Sequence, residues 1–237
     1  ADGPTQLSSS WRTRPPTMIT CTLLVPRRLA TTRVVRAAGA FEVSQNARML
    51  HHAEEKRQIA LRAAELTADA RVMYIGVGST VEQFARLTRP REDLLVITPS
   101  LVVASLLGTR RVQVIIVGGL VRQDELNCVG PSAVECAQRY NTDVAVIGAA
   151  GVSARFGVTD LDDGEAGVNR AALERTRQIV VLADGSKFGD VALSTVAPIK
   201  DVSVIVTDST ADLTELELIE RVGVEVIQVH PTAEAAR

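Results

Sequence analysis

The chain has 237 residues, 46% of them apolar but only 3% aromatic, so a core must be built from Val, Ile, Leu and Ala, as in parallel strands covered by helices. The formal net charge of −2 hides an asymmetry, because residues 1–50 carry seven arginines against Asp2 and Glu42, a net of +5, and the remainder carries −7. No apolar run approaches the roughly 18 residues that span a bilayer, and Cys21, Cys128 and Cys136 lack metal-site spacing, so a cytoplasmic chain with no metal and no cofactor is expected.

Residues 1–30, rich in Ser, Thr, Pro and Arg, show neither helical nor strand periodicity and are assigned no fold. The expected division is an irregular basic segment over 1–50 and an α/β domain over 51–237. From His52 the pattern changes. Ile59, Ala60, Ala63 and Leu66 recur at helical spacing behind Glu54 and Glu55, which suits a helix N-terminus, and the helix is expected to end near Thr67. A strand follows at 72–77, then a helix face of Val81, Phe84 and Ala85, then a strand at 94–97. Further strands are expected at 112–117, 144–147, 179–182, 202–206 and 224–229, with helices near 100–108, 131–140, 165–176 and 212–221. Strands alternating with helices imply right-handed crossovers and an α/β fold: a mainly parallel, Rossmann-like sheet with helices on both faces.

In such sheets ligands bind beyond the carboxyl ends of the strands. Gly76, Gly78, Ser79 and Thr80 follow one strand and open a helix, placing backbone N–H groups and two hydroxyls where an anion could sit. A glycine turn with a hydroxyl cap is the plainer alternative. A dinucleotide fingerprint fails, since its third glycine would fall at Val81. Thr98 and Ser100 end another strand and Gly118 and Gly119 a third; each alone reads as a cap or a close turn. Asp184, Ser186 and Lys187 follow a fourth, where an ammonium can serve as a point charge for phosphate. Asp160, Asp162 and Asp163 read as charges at a helix start, with Glu165 left open as a site residue.

Taken in order, these motifs resemble the C-terminal domain of DeoR-type transcriptional regulators over about residues 52–230. Glu55, Lys56, Ile59, Ala60, Ala63 and Ala64 resemble the family's connecting helix, and Gly78-Ser79-Thr80 its G-[ST]-T loop. Thr98 and Ser100 match T-N-S, Gly118-Gly119 the G-G pair, Gly130 and Ala133 G-x-x-A, and Gly148 to Gly151 a small-residue turn. Glu165-Ala166 match E-A, Asp184 to Phe188 D-x-S-K-F, and Thr207-Asp208 a late T-D. Three positions depart: Gly76 stands for a common Asp, Pro99 for Asn and Asn169 for a frequent Lys.

The resemblance implies a fold related to ribose-5-phosphate isomerase and the CoA transferases, and a phosphorylated sugar effector that modulates DNA binding by a homo-oligomer. It assigns effector contacts to Gly78, Ser79, Thr80, Thr98, Ser100, Gly118, Gly119 and Lys187, with Glu165 or Asp184 accepting from sugar hydroxyls. Nothing in residues 1–32 resembles the family's recognition helix, whereas 33–41 resemble its wing, so Arg33 and Arg36 are the candidate DNA contacts of a truncated or divergent winged helix. The alternatives are an isomerase-like enzyme using Glu165, Asp184 and Lys187, and a sensor that has lost DNA binding.

Overall fold

The computed structural model describes residues 20–25, 28–34 and 45–230. Its elements begin with strands β1 (Thr20–Val25) and β2 (Arg28–Val34), helices α1 (Gln45–Leu50) and α2 (Ala53–Leu66), β3 (Val72–Ile75), α3 (Ser79–Leu87), β4 (Leu95–Thr98), α4 (Leu101–Gly108) and β5 (Gln113–Ile116). There follow β6 (Leu120–Arg122), β7 (Asn127–Val129), α5 (Pro131–Ala137), β8 (Thr142–Gly148), β9 (Gly151–Ser153), β10 (Gly157–Asp160), α6 (Asp163–Leu173) and β11 (Thr176–Leu182). The last are β12 (Asp190–Val191), β13 (Ser194–Ala197), β14 (Val204–Asp208), α7 (Leu213–Glu220) and β15 (Glu225–Val229).

Seven of these strands form one sheet in the order β15-β14-β11-β8-β3-β4-β5, every neighbouring pair parallel. Side chains alternate between two cores, as strand geometry requires. Tyr74, Ile97, Ala145, Ile147, Val181 and Ile205 face one, packed against Ala133, Ala166, Ala172, Leu216 and Ile219 of α5, α6 and α7. Met73, Ile75, Val96, Val146, Val180 and Val206 face the other, against Ile59, Ala63, Phe84, Ala85 and Leu107 of α2, α3 and α4. Strands covered on both faces must be apolar at nearly every position, which is why they read as continuous runs. The fold is the α/β arrangement expected, a parallel sheet with helices on both faces.

The strand order reverses direction between β3 and β8, and there the crossovers change sides of the sheet. Such a switch point parts the loops at the carboxyl ends of two adjacent strands and leaves a crevice. Two small antiparallel additions border it: the hairpin β6–β7, and β9–β10–β13.

The irregular reading of the basic segment needs correction within the described residues. β1 and β2 pair antiparallel from Thr20↔Arg33 to Val25↔Arg28, and β2 continues in parallel onto β12 through Arg33↔Asp190. TCTLLV alternates for only four residues before running into apolar LLV, and RLATTRV does not alternate, so a period-two search passes over both. Arg36, and the wing-like stretch beyond Val34, lie outside the described residues.

Candidate functional site

The crevice at the switch point is a cavity of about 490 Å³. Three strand-end loops make its floor: 77–80 after β3, 148–150 after β8, and 182–187 after β11. The first bends through Gly78 at φ 120°, ψ 157°, a conformation open to glycine, and leads straight into α3. Ser100, Asp162 and Asp212 cap α4, α6 and α7, but no side chain caps α3. Its first N–H groups therefore remain available beside the cavity, as at anion-binding helix termini. Ser79 and Thr80 line the same wall, and neither hydroxyl has a hydrogen-bond partner among the described residues.

In the third loop Asp184 Oδ1 accepts from the Ser186 N–H at 3.2 Å and from the Ser186 hydroxyl, closing a short 3-10 turn over Gly185–Lys187. That turn carries Lys187 into the cavity wall, where its ammonium has no ion pair or hydrogen bond among the described residues.

The opposite wall is acidic but laced with arginine. Glu165 Oε2 accepts from Asn127 Nδ2 at 2.8 Å and lies 3.4 Å from Arg122 Nη1. Burial, then the neighbouring Asp160 and Glu125, push the Glu165 carboxyl well above its usual range. Asp160 is also pushed up by burial, against the pull of the backbone N–H groups of Asp162 and Leu161. A protonated Glu165 can both donate to and accept from a hydroxyl. The arrangement thus joins a cationic, N–H-rich end to a carboxyl end.

Six of the residues expected at the site line this cavity: Gly78, Ser79, Thr80, Glu165, Asp184 and Lys187. Thr98, Ser100, Gly118 and Gly119 do not. Thr98 Oγ1 accepts from the Ser100 N–H at 3.1 Å, and Ser100 Oγ caps α4 at Val103. Gly119 allows close approach of β7, since a Cβ there would lie 2.5 Å from the Val129 carbonyl oxygen. With the Cys128 N–H to Pro99 and Leu101 N–H to Leu126 bonds, this group seats the β6–β7 hairpin that delivers Arg122 and Glu125 to the cavity.

Arg33 is held by Asp190, with Nε to Oδ1 at 2.8 Å and Nη2 to Oδ2 at 2.7 Å, so its fork is not presented to DNA in this arrangement. Asp162 caps α6, and Asp163 accepts from Ser194 and Arg170, as helix-start charges would; Asp160 instead reaches the cavity. Pattern reading missed Arg48, His51, His52, Lys56, Arg122, Glu125 and Asp190, all in the wall. Lys56 alone gave a signal, as an ammonium near the start of an otherwise apolar helical stripe. Two departures from the family pattern meet in space: a Cβ on Gly76 would lie 3.3 Å from Asn169 Oδ1.

A family model for the DeoR C terminal sensor domain matches residues 51–209. Over 175 residues the chain is 30% identical to a putative aga operon transcriptional repressor of Escherichia coli O157:H7, covering 73% of this chain and 65% of that protein. It is also 30% identical over 174 residues to the HTH-type transcriptional regulator GlpR of Haloferax volcanii, covering 73% and 68%. Among solved structures, ribose 5-phosphate isomerase A from Methanocaldococcus jannaschii is 22% identical with a TM-score of 0.44, covering 58% of this chain and 55% of that one. The chain thus spans about two thirds of the length of these curated relatives. Among the described residues no helix is long and apolar enough to cross a membrane.

Proposed function

The chain belongs to the DeoR C-terminal sensor domain family, and from that premise we propose that it senses a phosphorylated sugar or related metabolite and so controls DNA binding by a transcriptional repressor. The observation that carries this reading is the pairing, in one cavity, of the uncapped α3 N-terminus with a Lys187 ammonium that is unengaged among the described residues. A phosphate fits that end through N–H groups, the Ser79 and Thr80 hydroxyls and one point charge. Sugar hydroxyls fit the other end, where Glu165 and Asp160 lie.

The regulator is a homo-oligomer whose sensing unit is 51–237 and whose DNA-facing end is 1–50; the +5 charge of that end supports it. Arg33 and Arg36 are its DNA contacts, and Arg33 reaches DNA only after leaving Asp190. The protein acts by binding and catalyses no reaction; the support for this is the regulator family to which the chain belongs.

A thermal-shift screen against phosphorylated sugars tests the sensor. A ligand at 100 times its Kd stabilises by about 2.7 kcal/mol, and the free sugar gives no shift. Fluorescence anisotropy with operator DNA, with and without the ligand, tests the regulator in the full-length protein. Aldose–ketose turnover abolished by Asp184→Ala would overturn the non-catalytic reading.

A further inference from the structure

Four residues of the cavity wall, Arg48, His51, His52 and Lys56, come from α1, α2 and the corner between them rather than from the sheet. The last carbonyls of a helix have no partner within it. Here the side chain of Lys56 supplies one: Nζ donates to the Arg48 carbonyl at 2.6 Å and to the His51 carbonyl at 2.7 Å. The chain then turns into α2 through His52 at φ 54°, a left-handed conformation unusual for a side-chain-bearing residue, with no side-chain cap. One ammonium thus ties α2 to the end of α1. Arg48 adds a second fastening, its guanidinium on the buried Glu125 across the cavity.

An ammonium has three N–H groups, and the carbonyls use two. Lys56 is only 5% exposed, and burial lowers its hold on the proton against the pull of Asp184, with Lys187 and Arg48 adding to the lowering. We propose that an anion in the cavity, of the phosphate-ester class, binds Lys56 as well as Lys187, and that this contact locks the α1–α2 corner. The inference rests on the sensor reading above and adds how occupancy is transmitted. α1 closes the basic segment where it meets the α/β domain, so its attachment is where a ligand can act on residues that do not touch it. By linkage, whatever strengthens α1 docking also strengthens ligand binding.

The test is hydrogen–deuterium exchange of the full chain, with inorganic phosphate and glucose 6-phosphate as probes and binding followed in parallel by thermal shift. The expected result is that a bound probe slows exchange of amides 45–52 by about fivefold or more, while the helix 213–220, on the opposite face of the sheet, changes less. In Lys56→Met the probe still binds, more weakly, and the protection of 45–52 is lost. Binding to the wild type without added protection of 45–52 overturns the inference and leaves the sensor reading standing. Protection that survives in Lys56→Met also overturns it. If neither probe binds, the anion-site reading falls and takes this one with it. Should Lys56→Met fail to fold, the wild-type comparison alone decides.

Discussion

Lys187 and Glu165 occupy one cavity but obey opposite rules. The Lys187 ammonium is half-buried and unengaged among the described residues, so its removal leaves no stranded partner. Lys187→Ala is expected to keep the melting temperature and weaken phosphate-ester binding by about tenfold or more, measured by titration calorimetry. Glu165 is buried and holds its proton more tightly in the folded than in the unfolded state. Such a group gives stability that is fully present below its ordinary value near 4.5 and is lost as pH rises through the raised one. Glu165→Gln keeps an acceptor for Asn127 and removes that loss, so it should gain on the wild type by roughly 2–4 °C in melting temperature as pH rises above 4.5. An unchanged difference across pH would count against a protonated Glu165. Gly78, Ser79, Thr80, Asp184 and Lys187 could be picked out because each comes just after the end of a strand, a local pattern. Arg122, Glu125 and Asp190 reach the same cavity from separate short elements, and no local pattern marks a residue whose role depends on distant chain.

Among elements, the central strands of the sheet are readable because burial on both faces leaves apolar runs, and the edge strands β5 and β15 because short apolar stretches alternate with helices. β6, β7, β9, β10, β12 and β13 have two to four residues each and too little period to detect. Their placement depends on contacts that can be tested. Asp162 Oδ1 accepts from the Glu165 N–H at 2.7 Å at the head of α6. Asp162→Ala should cost about 1 kcal/mol, seen as a shift of a few degrees in melting temperature. The two neighbouring glycines before β6 should differ. Gly119→Ala drives a methyl against the Val129 carbonyl oxygen at 2.5 Å and is expected to cost more than ~2 kcal/mol in urea unfolding, whereas Gly118→Ala meets nothing within 4 Å and should be close to neutral. Equal effects would mean that the β6–β7 hairpin is not seated on Gly119.

At the scale of the molecule, the β1–β2 hairpin joins the rest through β12 and the Arg33–Asp190 pair, and Asp190 also lines the cavity. The pair is half exposed on the arginine side, so its worth is at most about 1 kcal/mol. Asp190→Asn should therefore speed tryptic cleavage after Arg33 by about fivefold, while the fragment over 45–230 survives. Cleavage at an unchanged rate would show that β2 is held by the strand pairing alone.

The order of strands has a consequence for how the protein comes into being. The central pair, β3 with β8, joins Tyr74 to Ala145 across an intervening half-sheet, and closing so long a stretch is slow. As the chain leaves the ribosome, β3, β4 and β5 can associate early, but the cavity floor needs 148–150 and then the turn that carries Lys187. A polypeptide stalled before Lys187 can build a half-sheet with the Ser79–Thr80 loop in place and still lack the charge facing it. The proposed anion site is thus complete only once residue 187 has been made, and a chain cut before it is expected not to bind the phosphate ester.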